Sequence, residues 1–223
     1  MPPGGIQPFV FRHPVSAGLH LAWCLWAVYA AALLWRLARG DRLRQWSVGC
    51  FGLSMVLLYA ASAGYHAVPA EAPELLRAFQ LLDHSAIYVL IAGTYTLVFA
   101  LLLGGWRRVL FLALVWGLAA AGVACKWLLP WPPYGLTIVL YAGLGCVGLL
   151  PAAHLVRAAG VRAMGWALLG GLVYLAGGVC EATRWPVLVP GVVGAHEVLH
   201  LCDMGGTSLH VFFVMRYLLP LRR

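Results

Sequence analysis

The chain has 223 residues, of which 63% are hydrophobic and 10% charged, where an ordinary soluble domain carries about 25% charged residues. This excludes a water-soluble globule and leaves an integral membrane protein. The formal charge of +8 could suggest a nucleic-acid binder, but the basic residues sit in short loops between apolar runs, where they set membrane orientation instead.

A spanning helix takes roughly 20 apolar residues, so seven helices with short loops nearly exhaust the chain and leave no sizeable soluble domain. The first 14 residues hold one arginine and no clear cleavage signal, and the apolar run after them is long enough to span. No signal peptide is expected there. The first helix is predicted over 16–37. It stops at Arg39-Gly40-Asp41-Arg42-Leu43-Arg44, which is too charged to bury. The second, 47–68, ends in Ser62-Ala63-Gly64-Tyr65-His66 and runs into a loop with Pro69, Pro73, Glu71 and Glu74. The third, 83–103, opens at Asp83 and closes at the turn Gly104-Gly105-Trp106-Arg107-Arg108. The fourth, 108–128, meets Pro130-Trp131-Pro132-Pro133, which cannot continue a helix. The fifth, 134–156, is followed by a basic loop from Arg157 to Arg162, and the sixth, 163–182, by an aromatic interfacial turn from Trp185-Pro186 to Pro190-Gly191. The seventh covers 194–217. The expected fold is an all-α membrane protein, a seven-transmembrane helix bundle forming one domain over 1–223. Gly143, Gly145, Gly148, Gly170, Gly171, Gly177 and Gly178 read as close-packing positions. The six cysteines form no CxxC pair and read as small buried apolar residues.

Helix parity brings the polar residues together. Odd helices start, and even helices end, on the side of the N-terminus. His66 ends the second helix, Asp83 starts the third, and His196 and His200 start the seventh, so all four fall at one membrane face. Six helices would place His66 and His196 at opposite faces. Imidazole and carboxylate are costly in hydrocarbon and mark function there. Ser62 and His66, and likewise His196 and His200, are four residues apart and share a helix face. Three histidines, His66, His196 and His200, would leave a tetrahedral zinc one open position, the catalytic arrangement. Asp203 and Thr207 continue the stripe of the last helix. His210 lies about 15 Å along the axis from His200 and cannot share the same ion. It reads as an interhelical hydrogen-bonding residue. His20, at the start of the first helix on the same face, is balanced between a supporting and a structural role.

These residues resemble the hemolysin III family, the bacterial branch of the progestin and adipoQ receptors, in a wider group that includes alkaline ceramidases. The likeness runs nearly the whole chain. It covers His13-Pro14-Val15-Ser16 with His20, Ser62-x3-His66, the long run Leu82-Asp83-His84-Ser85-Ala86-Ile87-Tyr88 with Ile91-Ala92-Gly93-Thr94-Tyr95-Thr96, and His196-x3-His200-x9-His210. The resemblance implies seven helices, zinc held by His66, His196 and His200, and Asp83 and Ser62 beside the metal. Two positions depart from the expected pattern. Leu97 stands where a proline is expected, and Asp203 adds an acid below His200.

A three-histidine zinc lowers the pKa of bound water to about 7. Asp83 could then move a proton and Ser62 donate to a developing oxyanion. A site within the bilayer selects membrane lipids as partners, so the leading expectation is zinc-dependent hydrolysis of a lipid amide or ester, as in the ceramidases. The alternative is a receptor-like or homeostatic membrane protein whose zinc is structural; the family name also implies a cytolytic role, for which no charged lining stripe is seen. A third reading takes His196-Glu197-Val198-Leu199-His200 as HExxH with Glu197 as base, an intramembrane metalloprotease. Eleven of the fifteen basic residues lie at the face away from the site: Arg36, Arg39, Arg42, Arg44, Arg107, Arg108, Arg157, Arg162, Arg216, Arg222 and Arg223. The expected location is a bacterial inner membrane with a cytoplasmic C-terminus, opposite to the adipoQ receptors.

Overall fold

The computed structural model describes residues 12–129, 134–190 and 192–221. The expected break at Pro130-Trp131-Pro132-Pro133, together with Gly191, Arg222 and Arg223, lies outside the described residues. The described residues form helices α1 (Pro14–Leu37), α2 (Arg42–Ala67), α3 (Pro73–Leu102), α4 (Gly105–Leu128), α5 (Tyr134–Cys146), α6 (Ala152–Ala159), α7 (Val161–Thr183) and α8 (Ala195–Phe213). Six of these, with α8 extended to Leu218, are long and apolar enough to cross a membrane, and a bent pair makes a seventh span. The fold is a seven-transmembrane helix bundle.

Several helices start earlier than the sequence suggests, and each has a local cause. Pro14 opens α1, where its missing N–H would be unsatisfied in any case. Asp41 caps α2 by accepting from the Arg44 backbone N–H at 3.0 Å, so the charged stretch from Arg42 belongs to the helix rather than to the loop. α3 starts at Pro73, ten residues before the expected start at Asp83. Proline at the first position and Glu74 in the first turn both favour a helix start. At 30 residues α3 is about 45 Å long, beyond the roughly 30 Å of a hydrocarbon core. Asp83 therefore sits in the third turn of α3, not at its end. Leu97, in place of the expected proline, is fully buried in an uninterrupted helix.

The fifth span is not the continuous helix 134–156. A 3₁₀ turn at Val147–Leu149 follows α5, and the axis bends by 45° before α6. Pro151 accounts for the break, since it has no N–H to donate and its ring crowds the preceding turn. Gly160 joins α6 to α7 at φ +85°, a conformation that favours glycine. The last span extends past α8 as a π-turn, Val214–Leu218.

α2 packs between α1 and α3, and α7 lies along α8. Half of the most apolar stretch of α2 and 56% of that of α3 is buried, against 22% for α4 and 17% for α7. α2 and α3 thus form the centre of the bundle, and α4 and α7 face lipid. Phe51, Met55 and Tyr59 of α2 meet Tyr88, Leu97 and Phe99 of α3, with Met204 and Phe213 of α8, in the core. Among the expected close-packing glycines, a Cβ on Gly170 would come within 2.7 Å of the His210 ring and one on Gly177 within 2.7 Å of Cys202, whereas Gly143, Gly145, Gly171 and Gly178 meet nothing. The ends of the spans are tied as parity requires. The His13 N–H donates to the His66 carbonyl at 3.0 Å, joining the start of α1 to the end of α2. Arg44 donates to the Leu219 carbonyl at 2.7 Å and to that of Leu221, joining the start of α2 to the end of the last span.

Candidate metal centre

Three helices bring imidazoles to one point. His66 ends α2 and His200 lies in the second turn of α8. His20 lies in the second turn of α1. All three are buried. Their metal-competent nitrogens lie within 4.8 Å of one another. His196, one turn before His200 and partly exposed, places its Nε2 3.1 Å from the His200 Nε2. Its ring centroid is 5.3 Å from that of His66, and the His66 and His200 rings are 4.8 Å apart. Zinc–nitrogen bonds of 2.0–2.1 Å in a tetrahedron set ligand nitrogens about 3.3 Å apart. The structure therefore brings His66 and His200 together with His20 as the group whose nitrogens could hold an ion, whereas His196, expected as the third ligand, stands beside it against His200 and outside that group.

The chemistry of the set fits a metal. The His66 Nε2 is buried and has no hydrogen-bond partner, a state that costs free energy unless something else takes up the lone pair. Its Nδ1 faces the Nδ1 of His13 at 3.1 Å, which leaves Nε2 for the cluster. His20 has its Nδ1 2.8 Å from the Ser16 carbonyl, so that nitrogen carries the proton and Nε2 is the one free to ligate. Nitrogen donors of this kind suit zinc, and also copper, nickel and iron.

Around the imidazoles stand groups that the sequence pattern assigns and groups that it misses. The Glu181 carboxylate, at the end of α7, lies 3.4 Å from the His196 Nδ1, the contact by which an acid fixes a ligand imidazole. The sequence pattern gives neither Glu181 nor His13 a role at the metal. His13 has a sequence signal in the stretch His13 to His20, whereas Glu181 is a lone acid whose significance depends on where α7 ends. Ser62, one turn before His66, is buried beside the buried Asp83 carboxylate. Glu197 is occupied elsewhere. It accepts from the Gly194 N–H at 2.9 Å and from the Ser16 hydroxyl at 3.3 Å, so it caps α8. As positioned, it is not the free base that an HExxH protease needs. Deeper in the bundle, Asp203 hydrogen-bonds Tyr59. Thr207 receives the Tyr59 hydroxyl at 2.7 Å and meets that of Tyr174 at 2.7 Å. His210 lies apart from the cluster. Its Nδ1 donates to the Gly206 carbonyl at 3.0 Å, and its ring stacks on Tyr174.

Residues 10–211 match the family described as Haemolysin-III related. The chain belongs to this family. It is 31% identical over 170 residues to Hemolysin-3 of Bacillus cereus, covering 76% of this chain and 74% of that one. A Hemolysin-3 homolog of Bacillus subtilis is 29% identical over 170 residues, 75% of each chain. Progestin and adipoQ receptor-like protein 1 of Caenorhabditis elegans is 23% identical over 216 residues, 86% of this chain and 49% of the receptor-like protein. This hemolysin III chain is thus a multi-pass membrane protein related to receptors of that group, with a buried histidine cluster able to hold a metal ion.

Proposed function

We propose that this hemolysin III protein binds zinc through His66, His196 and His200 and hydrolyses an amide or ester bond of a membrane lipid. The observation that carries the reading is the buried Asp83, with buried Ser62 beside it one helical turn from His66, an acid that is not needed to hold the metal. Zinc in such a site supplies a Lewis acid and a water whose pKa is lowered to about 7. The Asp83 carboxylate would take the proton from the attacking water and return it to the leaving group. The Ser62 hydroxyl, one helical turn from His66, would hold that carboxylate at rest and turn its single O–H to the developing oxyanion during the reaction. Glu181 orients His196. The test is a lipid-amide and lipid-ester hydrolysis screen on purified, metal-analysed protein. Asp83→Asn should keep zinc and lose turnover by at least about 100-fold, the usual range for a general base. Unchanged turnover in the Asp83→Asn variant would end this reading.

A second reading, structural zinc in a receptor-like protein, is favoured by one observation: His20. His20 belongs to the group of three buried imidazoles that could hold an ion, with His66 and His200; with His196 against His200 as well, four imidazoles could close the coordination and leave no position for water. Absorption spectroscopy of the cobalt-substituted protein separates the two, because His20→Ala would change the spectrum only if His20 is a ligand. For orientation we propose a cytoplasmic C-terminus in the bacterial inner membrane. It rests on the eleven basic residues of the far face, against Arg12, Arg77, Lys126 and Arg184 at the site face. Lys126 is buried, which leaves the site face fewer loop charges still. A reporter fused after Arg223 should register in the cytoplasm, and an external signal would overturn the orientation.

A further inference from the structure

Lys126 lies two residues before the end of α4, at the same membrane face as the histidines, and is only 8% exposed. A lysine near the end of a spanning helix ordinarily extends its ammonium to the headgroups. This one turns inward, between α3, α4 and α5, and its Nζ donates to the Thr137 hydroxyl at 2.9 Å. An ammonium has three donors and a full charge, so a single neutral acceptor leaves most of its needs unmet.

No acid of the chain supplies the rest. There are seven. Asp41 pairs with Arg44, Glu181 with His196, and Glu197 caps α8. Asp83 lies beside Ser62 and Asp203 beside Tyr59, while Glu71 and Glu74 are exposed. Among the described residues no carboxylate forms an ion pair with Lys126. The carbonyl end of α4 offers at most about half an elementary charge. An ionisable neighbour, His84, lies within electrostatic reach and brings no negative charge.

A second donor waits one turn deeper. The Tyr88 ring packs against Gly122, four residues before Lys126, and meets the Tyr141 ring at a tilt of 42° with centroids 4.5 Å apart. Its hydroxyl is buried with no partner. The Tyr141 hydroxyl, by contrast, is satisfied by the His84 carbonyl at 2.8 Å. The layout repeats along three helices: His84, Lys126 and Thr137 form one layer, and Tyr88, Gly122 and Tyr141 the next.

We propose that Lys126, buried between α3, α4 and α5 with one neutral acceptor, binds the phosphate of an anionic lipid headgroup, with the Lys126 ammonium and the unpartnered Tyr88 hydroxyl as donors. Phosphate suits an ammonium, which binds it as a point charge. The lipid source follows from depth. Trp127, the next residue, is half exposed and donates to the Ser85 hydroxyl at 3.0 Å, at the level where interfacial tryptophans sit. The site is separate from the histidine cluster and does not depend on the metal.

The experiment measures binding of phosphatidylglycerol, of zwitterionic phosphatidylcholine and of inorganic phosphate to the purified full chain in detergent, with retained lipid counted by mass spectrometry and zinc content followed in parallel. Wild type should prefer phosphatidylglycerol. Lys126→Gln should lose about tenfold in that affinity, the scale of one charged hydrogen bond, and Lys126→Arg should keep most of it. Tyr88→Phe should lose about fivefold without loss of fold, since its hydroxyl has no protein partner. Zinc content should not change in any variant, so failure here is distinct from failure of the metal site. Equal phosphatidylglycerol affinity in wild type, Lys126→Gln and Tyr88→Phe overturns the site. If Lys126→Gln does not fold, unchanged affinity in Tyr88→Phe overturns it alone. Binding of inorganic phosphate with no preference between the two lipids overturns the lipid source.

Discussion

The two ends of α8 use the same residue type in opposite ways. At its start, His196 and His200 turn their Nε2 atoms toward each other at 3.1 Å, beside the unpartnered Nε2 of His66. Nearly three turns deeper, His210 gives its Nδ1 to the Gly206 carbonyl and stacks on Tyr174. Between them Asp203, Tyr59, Thr207 and Tyr174 form a hydrogen-bonded layer. The difference teaches what makes a buried histidine a candidate ligand. Burial does not sort them, since His200 is buried while His196 and His210 are both partly exposed. What separates them is whether the ring nitrogens are spent on the backbone or left facing other nitrogens.

The sharpest way to break this contrast is His66→Ala. Zinc bound by the purified protein should fall from near one per chain to a small fraction, because two remaining protein ligands rarely hold zinc. Full occupancy in that variant would remove the three-histidine site. Next in size is Glu181→Gln, which keeps the shape of the side chain but weakens the contact to His196. Changes at such orienting carboxylates cost 10–100-fold in metal affinity, and this partly exposed pair should lie at the low end, about tenfold. A competition titration with a chelator reads it, and no change would mean that His196 is not a ligand or needs no orienting.

Smaller again is Tyr59→Phe, in the layer between the two ends. It takes away the hydroxyl that donates to Thr207 beside Asp203 and should cost about 1 kcal/mol or somewhat more in stability, measured as a lower thermal midpoint, with zinc content unchanged. The smallest effect on metal belongs to His210→Phe. Zinc should stay at the wild-type level, and only the midpoint should drop, since the ring is packed against Gly170. Loss of zinc from that variant with the fold intact would mean that the two ends of α8 are coupled in a way their contacts do not suggest.

Much of this protein is written in local sequence. Apolar runs of spanning length, broken by charge, proline and glycine, determine the helices and their number, because transfer of a segment into hydrocarbon depends chiefly on that segment's own composition. The count in turn determines that Ser62, His66, Asp83, His196 and His200 share a face. The expectation of one helix over 134–156 misses the break at Pro151, although a proline inside a periodic run is a signal that could have given it. The N-terminal extension of α3 was hidden because Glu74, Arg77 and Gln80 interrupt the apolar pattern while remaining compatible with a helix that leaves the hydrocarbon. Only the tertiary structure decided which side chains meet. That His20 joins the cluster, that Glu181 reaches His196, that Glu197 caps its own helix and that Lys126 turns inward depend on how each helix is rotated about its axis. Rotation is set by how side chains and glycines interlock between helices, such as Gly170 against His210 and Gly122 against Tyr88. Those are pairings between distant parts of the chain, which no single segment encodes.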